Sequence, residues 1–267
     1  MTKLKLHICD GNNLLRRKFE SDGPSWAIHA YVQACANNSP YGSLIWVWDG
    51  ANAKKPRQDI HPAYKASSDS TDEFYLFMDK FRELLTHSGC IQIRCEGREA
   101  DDVIAELVNT KSPETEIFID SNDQDYRQLL SDTVTMDYVS EKLKEFKPDD
   151  MRLYKTLVGD KSDAITGLSR FGHGTYQKLS DSAKCFLEDA LQSDDPITAD
   201  QVEAEAGFTK AMATRFVESR DELKKFWKII GFFHVPQSEI NAGTIIGKQD
   251  TVAAKAVFDA LAIPINL

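Results

Sequence analysis

The sequence predicts an α/β fold, a mostly parallel central sheet flanked by helices, followed by a helical C-terminal region. Three observations carry this. Short, nearly continuous apolar segments recur through the first half, at 4–9, 44–48, 91–95, 116–119 and 133–136, as strands buried on both faces of a parallel sheet require. Amphipathic stretches at 26–36, 74–87, 100–108 and 126–130 alternate with them, the order expected of strand–helix–strand crossovers. Beyond residue 146 the strand signal fades and helical patterns crowd together.

Taken in order, the first strand runs into Asp10-Gly11 and the second, which carries Trp46 and Trp48 as expected core residues, into Asp49-Gly50. The stretch 51–71 is rich in Lys, Pro, Ser and Asp; lying between a strand and a helix, it reads as a functional loop. Phe74, Tyr75 and Phe77 follow at helical spacing, which favours packing over base stacking. The third strand leads to Glu99-Ala100-Asp101-Asp102 and the fourth to Ser121-Asn122-Asp123-Gln124-Asp125. Helices are then expected at 148–157, 175–179, 183–191, 199–206, 210–219, 222–231 and 251–261. The first of these opens on Pro148-Asp149-Asp150, with proline in the first turn and acids at the positive helix end. A boundary near 147 divides the chain into 1–147 and 148–267.

With 42% hydrophobic and 28% charged residues over 267 positions, the composition excludes disordered and collagen-like classes. No apolar run approaches the ~20 residues of a membrane span, and the start, MTKLKLHICD, lacks a signal peptide's apolar stretch. A cytoplasmic protein without membrane partners is expected. The five cysteines, an odd number without C-x-x-C spacing, read as buried free thiols. Taken alone, the net charge of -10 predicts repulsion from nucleic acid.

The placement of the acids modifies that prediction. Asp10 and Asp49 each precede glycine and each has an ordinary reading as a turn former; Glu99, Asp101 and Asp102, or Asp123 and Asp125, read individually as helix caps. All follow strand ends, however, and the carboxyl ends of parallel strands line the crevice where α/β sheets bind ligands. Seven carboxylates on one edge repel unless cations compensate them, so a divalent-metal site is the economical reading. Oxygen-only donors point to Mg²⁺ or Mn²⁺. Asp160 and Asp163 lie in a further segment, LVGDKSDAITGLSRFGHG, whose Gly-containing turn between helices is a generic device for holding a nucleic-acid backbone.

With these residues in view, the chain resembles the flap endonuclease and 5′-to-3′ exonuclease family, which includes phage exonucleases and the nuclease domain of bacterial DNA polymerase I. The resemblance runs in order over about 4–180 and rests on E-A-D-D at 99–102, S-N-D-Q-D at 121–125 with Gln128-Leu129-Leu130 after it, and V-G-D-K-S-D at 158–163. It implies a PIN-like or resolvase-like nuclease domain with a helical arch near 66–87 and a helix-three-turn-helix near 151–180. By the same resemblance Asp10, Asp49, Glu99, Asp101, Asp102, Asp123, Asp125, Asp160 and Asp163 hold two or more Mg²⁺ (or Mn²⁺) ions, with an outer-sphere place fitting Asp102 and Asp163 equally well. Tyr64 and Lys65 stand in a P-x-Y-K motif, with Lys65 reaching the scissile phosphate, as Arg17 also would. Gly167, Arg170, Gly172, Gly174 and Lys178 fall in the segment that would grip duplex DNA.

Two departures stand out. Ser67 and Ser68 occupy positions where the family usually has another arginine, and the hairpin reads G-L-S-R-F-G-H-G, with Arg170 in place of a glycine and Gly174 in place of a lysine. All nine acid positions are filled. The implied activity is a structure-specific 5′ nuclease acting on DNA with 5′ ends, flaps or nicks in replication or repair, leaving a 5′-phosphate and a 3′-hydroxyl. The alternatives are a catalytically silent relative that binds branched DNA, and a ribonuclease acting on RNA or RNA–DNA hybrids. A chain without a polymerase segment fits a free-standing bacterial enzyme or a phage protein in the host cytoplasm, and the motif departures lean to phage. Setting the nine acids aside leaves 33 acids against 32 bases, so the global charge reports a concentrated anionic site on a nearly neutral protein. Basic residues at Arg16, Arg17 and Lys18, at Lys54, Lys55 and Arg57, and at Lys65 read as a cationic rim around it.

Overall fold

Six strands, β1 (Lys5–Asp10), β2 (Ser43–Trp48), β3 (Ile91–Arg94), β4 (Glu116–Asp120), β5 (Val134–Met136) and β6 (Thr244–Ile246), form a sheet in the order β5-β4-β1-β2-β3-β6. All neighbours pair parallel except the edge pair β3–β6. Because successive side chains on a strand alternate faces, one face collects Ile8, Val47, Ile93, Ile117 and Ile119 and the other collects Cys9, Trp46 and Trp48. Trp46 and Trp48 are 2% and 1% exposed, as core residues should be.

The computed structural model describes residues 3–66 and 71–263. They divide into two compact units, one of 3–53, 71–141 and 233–263, the other of 54–66 and 142–232. The chain passes between the units four times, because 54–66 groups with the helical unit and the last stretch returns to the sheet, whereas the sequence suggests one boundary near 147. In chain order the helices are α1 (Gly11–Asp22), α2 (Trp26–Ala36), α3 (Lys55–Ile60), α4 (Asp72–Thr86), α5 (Ala100–Thr110), α6 (Asp150–Val158), α7 (His173–Tyr176), α8 (Asp181–Gln192), α9 (Ala199–Ala206), α10 (Lys210–Ile230), α11 (Gln237–Gly243) and α12 (Thr251–Ala260), with a 3-10 helix at Gln124–Leu129.

In the sheet unit, α5 covers the isoleucine face with Val103, Ile104 and Val108, while α1, α2, α4 and α12 cover the tryptophan face. The sequence pattern did not show α1, because Gly11, Asn12 and Asn13 are poor helix formers; Asp10 starts it by accepting a hydrogen bond from the Asn13 amide. The short β6 and α11 were likewise unexpected. Within the stretch near 66–87 where an arch is expected, α4 buries Phe74, Phe77, Phe81, Leu84 and Leu85, so Phe74 and Phe77 pack into the core as their helical spacing favours. Ser67 and Ser68 lie outside the described residues.

In the helical unit, α6 and α8–α10 enclose a second core containing Leu153, Leu157, Leu187, Phe216 and Phe226. The stretches 210–219 and 222–231 form one helix of 21 residues, since Ser219-Arg220-Asp221 holds no proline or glycine to break it. Arg57 leaves the expected cationic rim: it is 2% exposed and its guanidinium donates to the carbonyls of Ile229 and Gly231 at the end of α10. Among the described residues, no helix is long and apolar enough to cross a membrane.

Candidate metal centre

Strand order reverses at β1, whose neighbours β2 and β4 lead to opposite halves of the sheet. The crevice beyond the carboxyl ends of such strands is where α/β sheets bind ligands, and Asp10 stands at that place. Its carboxylate is 7% exposed; one oxygen accepts from the Asn13 amide at 3.3 Å and the other from Ser121 Oγ and the Tyr126 hydroxyl, both at 3.0 Å. Burial, then the neighbouring charges of Asp49 and Asp123, push its pKa up to about 7, against these hydrogen bonds. The buried Tyr126 hydroxyl is likewise pushed well up, by burial first and then by Asp10, Asp101 and Asp123. Asp49 and Asp123, which follow β2 and β4, thus act on Asp10, and Asp101 at the start of α5 acts on its hydrogen-bond partner Tyr126.

Asp49 is held where β2 meets α5. Its Oδ1 accepts from the Ala100 amide at 2.8 Å, its own amide donates to Asn12 Oδ1 at 3.2 Å, and its carbonyl accepts from Arg94 Nε at 3.0 Å. A side chain from another strand therefore caps α5, whose own N-cap residue, Glu99, makes no side-chain capping bond. Gly50 permits this close approach, because a Cβ there would lie 1.8 Å from the Cys95 carbonyl oxygen. Glu99 is 4% exposed and Asp101 accepts from the Asp102 amide at 2.7 Å. Asp102, 2% exposed, accepts from the Phe233 amide at 2.7 Å, so it secures the returning C-terminal segment. Asp123 accepts from the Asp125 amide at 3.0 Å and caps the 3-10 helix that carries Asp125, itself 8% exposed.

The donors around Asp10 are carboxylates and hydroxyl groups, the set that suits Mg²⁺ or Mn²⁺; burial first, and then the charges of Asp49 and Asp123, disfavour its ionised form, and a cation would offset both. The residues present fit a hard divalent ion. Arg17 is held by two carboxylates, Asp120 at 2.9 Å and Asp137 at 3.0 Å, neither of which the sequence reading selected.

In the helical unit, Asp160 accepts from the Ser162 amide at 2.9 Å and pairs with Lys155 Nζ at 2.8 Å. Burial alone would raise its pKa, but Lys155 and the Ser162 bonds outweigh burial and hold it below the usual range. Lys155 was missed because a single lysine in an amphipathic helix looks like a surface charge. Asp163 is 6% exposed, with Lys65 Nζ 3.9 Å away. Tyr64 is a core residue, 2% exposed, and the Lys65 ammonium lies 4.9 Å from its ring centre; the ring packs beneath the lysine. After α6, Gly167 has φ 68° and a Cβ there would lie 2.6 Å from the Gly159 amide nitrogen. Arg170 is exposed with φ 61°, left-handed backbone that favours the glycine it replaces. Gly172, Gly174 and Lys178 lie in or beside α7, and a Cβ at either glycine meets open space. His61 and His173, left out of the chemistry on sequence grounds, bond within the unit to the Ala164 carbonyl and the Tyr154 hydroxyl.

Comparison with known proteins places this geometry. Residues 5–155 match the profile of the 5′-3′ exonuclease N-terminal resolvase-like domain. DNA polymerase I of Caldicellulosiruptor bescii is 30% identical over 222 residues, which cover 73% of this chain and 26% of that protein. The chain thus spans about a quarter of the length of such DNA polymerase I relatives. A 5′-3′ exonuclease of Bacillus subtilis is 25% identical over 209 residues, 67% of this chain and 70% of that one. Among solved structures, the 5′-exonuclease of T5 with bound zinc superposes with a TM-score of 0.64 at 20% identity, covering 97% of this chain and 98% of that one. The flap endonuclease of bacteriophage T5, solved as a pseudo-enzyme-product complex with DNA and metal ions, gives 0.60 at 19% identity, covering 96% and 98%. These two show a shared fold. With the domain match covering more than half of its length, the chain belongs to the 5′-3′ exonuclease family.

Proposed function

We propose that the protein is a structure-specific 5′ nuclease that hydrolyses DNA phosphodiesters at 5′ ends, flaps or nicks, leaving a 5′-phosphate and a 3′-hydroxyl, in replication or repair. The observation that carries it is the Asp10 carboxyl, buried at the switch point of the sheet and pushed up to about 7 by burial and by Asp49 and Asp123. Two Mg²⁺ or Mn²⁺ ions, when bound, supply an activated water and stabilisation of the leaving oxygen. Asp10, Asp49, Glu99, Asp101, Asp123 and Asp125 offer the oxygens that hold them, with Asp102 fixing the segment behind α5. Ser121 and Tyr126 orient Asp10. The proposal keeps Asp160 and Asp163 as further metal-site acids, and Lys65 and Arg17 as cations that offset charge on the phosphate. Gly167, Arg170, Gly172, Gly174 and Lys178 stand as the duplex-gripping segment, a helix-three-turn-helix over 151–180.

The test is cleavage of a 5′-labelled flap and a nicked duplex with Mg²⁺, then with EDTA. Cleavage that EDTA stops is expected, and Asp101→Ala should lower the rate by at least two orders of magnitude while leaving DNA binding largely intact. Metal-independent cleavage, or none with any divalent ion, overturns the proposal; DNA binding without cleavage would make the chain a silent binding relative. Preference for RNA strands would make it a ribonuclease.

A further inference from the structure

A second group of ligand-type side chains lies on the tryptophan face of the sheet. His7 and Cys9 of β1 and Asp120 of β4 share that face by strand alternation, with Cys9 and Asp120 partnered in the parallel register. His7 is 5% exposed and Cys9 1%. His7 Nε2 lies 3.2 Å from Asp120 Oδ2 and 3.7 Å from Cys9 Sγ, and all three ligand atoms fall within 4.8 Å of one another. With Zn–N and Zn–O near 2.0 Å and Zn–S near 2.3 Å, the edges of a tetrahedral site are about 3.3 Å (N to O) and about 3.6 Å (N to S). The two distances from His7 already match.

The surroundings orient each group. The Ser39 hydroxyl has one proton, which it donates to the Gly42 carbonyl at 3.2 Å, while it accepts from the Tyr41 amide at 3.1 Å. With its proton given to Gly42, it accepts from His7 Nδ1, 2.7 Å away, and the neutral ring with its proton on Nδ1 turns the lone pair of Nε2 toward Asp120 and Cys9. Edge contacts with Tyr41 and Phe118, centroids at 5.3 and 5.2 Å, hold the ring in that pose. Arg17 binds the other oxygen of Asp120 at 2.9 Å. A histidine whose second nitrogen is hydrogen-bonded, beside a carboxylate that is itself hydrogen-bonded, is how proteins present ligands to a metal. The alternative is the other tautomer, in which the Ser39 hydroxyl donates to Nδ1 and Nε2–H donates to Asp120.

We propose that His7 Nε2, Cys9 Sγ and Asp120 Oδ2 bind one Zn²⁺ with an open fourth position, tying β1 to β4 on the face opposite Asp10. Binding takes the proton from the Cys9 thiol, so that one thiolate and one carboxylate balance the ion and one proton is released per zinc. The side chain of Asp120, 19% exposed, is the way in. The sulfur and nitrogen donors set this site apart from the oxygen-only acids, which favour Mg²⁺.

Metal-stripped protein, titrated with Co²⁺ in a large excess of Mg²⁺, tests it. A thiolate-to-cobalt charge-transfer band in the near ultraviolet is expected, saturating at one equivalent and abolished by Zn²⁺; carboxylate sites cannot produce it. Cys9→Ser should remove the band, His7→Ala should weaken Co²⁺ binding at least tenfold, and Cys185→Ser and Asp101→Ala should leave the band in place. Absence of the band from the wild-type protein, which depends on no variant folding, overturns the proposal. So does a band of equal strength in Cys9→Ser, or one lost in Cys185→Ser.

Discussion

At Asp10 the fold keeps a carboxyl group where its charge is costly. Between the ordinary carboxylate range and about 7, the folded protein without metal retains a proton that the unfolded chain has already lost. Native protein then binds more protons than unfolded, so stability falls as pH rises through that window and levels off above it. Urea melts in EDTA from pH 4 to 8 should show this slope, and Asp10→Asn should flatten it. With divalent ion present the dependence turns over: the ion binds the carboxylate, so its affinity should climb up to about pH 7, with proton release on binding below that pH, measured by calorimetry, as the check. Asp49 separates two roles in a different way. Asp49→Asn keeps an oxygen for the Ala100 amide but removes the charge, so thermal stability should stay within about 1 kcal/mol of wild type, the worth of a cap, while cleavage falls by orders of magnitude. Equal losses in both would mean that Asp49 is only a cap.

Among the elements, the hairpin after α6 makes the sharpest comparison. Gly167→Ala places a methyl against backbone at 2.6 Å in a left-handed conformation and should cost about 2 kcal/mol or more by chemical denaturation. Arg170→Gly relieves a strained backbone worth ~1–2 kcal/mol, offset in part by the freedom glycine gains when unfolded, so its stability should be unchanged or slightly higher. A large loss at Arg170 would show that its side chain, rather than its backbone, holds the turn. These elements also show how far the sequence could be read. Strand ends were legible because an apolar run that stops at an acid is a local pattern, and so were Asp10, Asp49, Asp101 and Asp123. Ser121 and Tyr126, which hold Asp10 from 111 and 116 positions away, were hidden because only strand pairing brings them there. The packing of Phe74 and Phe77 was legible from their helical spacing, whereas the residue that covers them, Phe19 of α1, was not, because only the fold brings the two helices together.

For the molecule as a whole, the order of the chain and the order of its units differ. The sheet unit takes its closing pieces from 233–263: Val235 and Ile240 on one face, Ala254, Val257 and Phe258 on the other. The helical unit needs nothing beyond 232. During synthesis, then, the part begun first is finished last. A ribosome that has released residue 232 has delivered everything the helical unit requires, while β3 still lacks its edge partner and α4 still lacks α12. Chains stalled at 232 should show protease resistance over 142–232 and rapid cutting within 3–53, and extension past 263 should protect both; resistance of the sheet at 232 would mean that the last helix only decorates a core already closed. Until then the nascent sheet carries an unpaired strand edge and bare aromatic surface, which makes the closing segment, far in sequence from the acids, the step at which a folding chaperone or an aggregation partner competes for this protein.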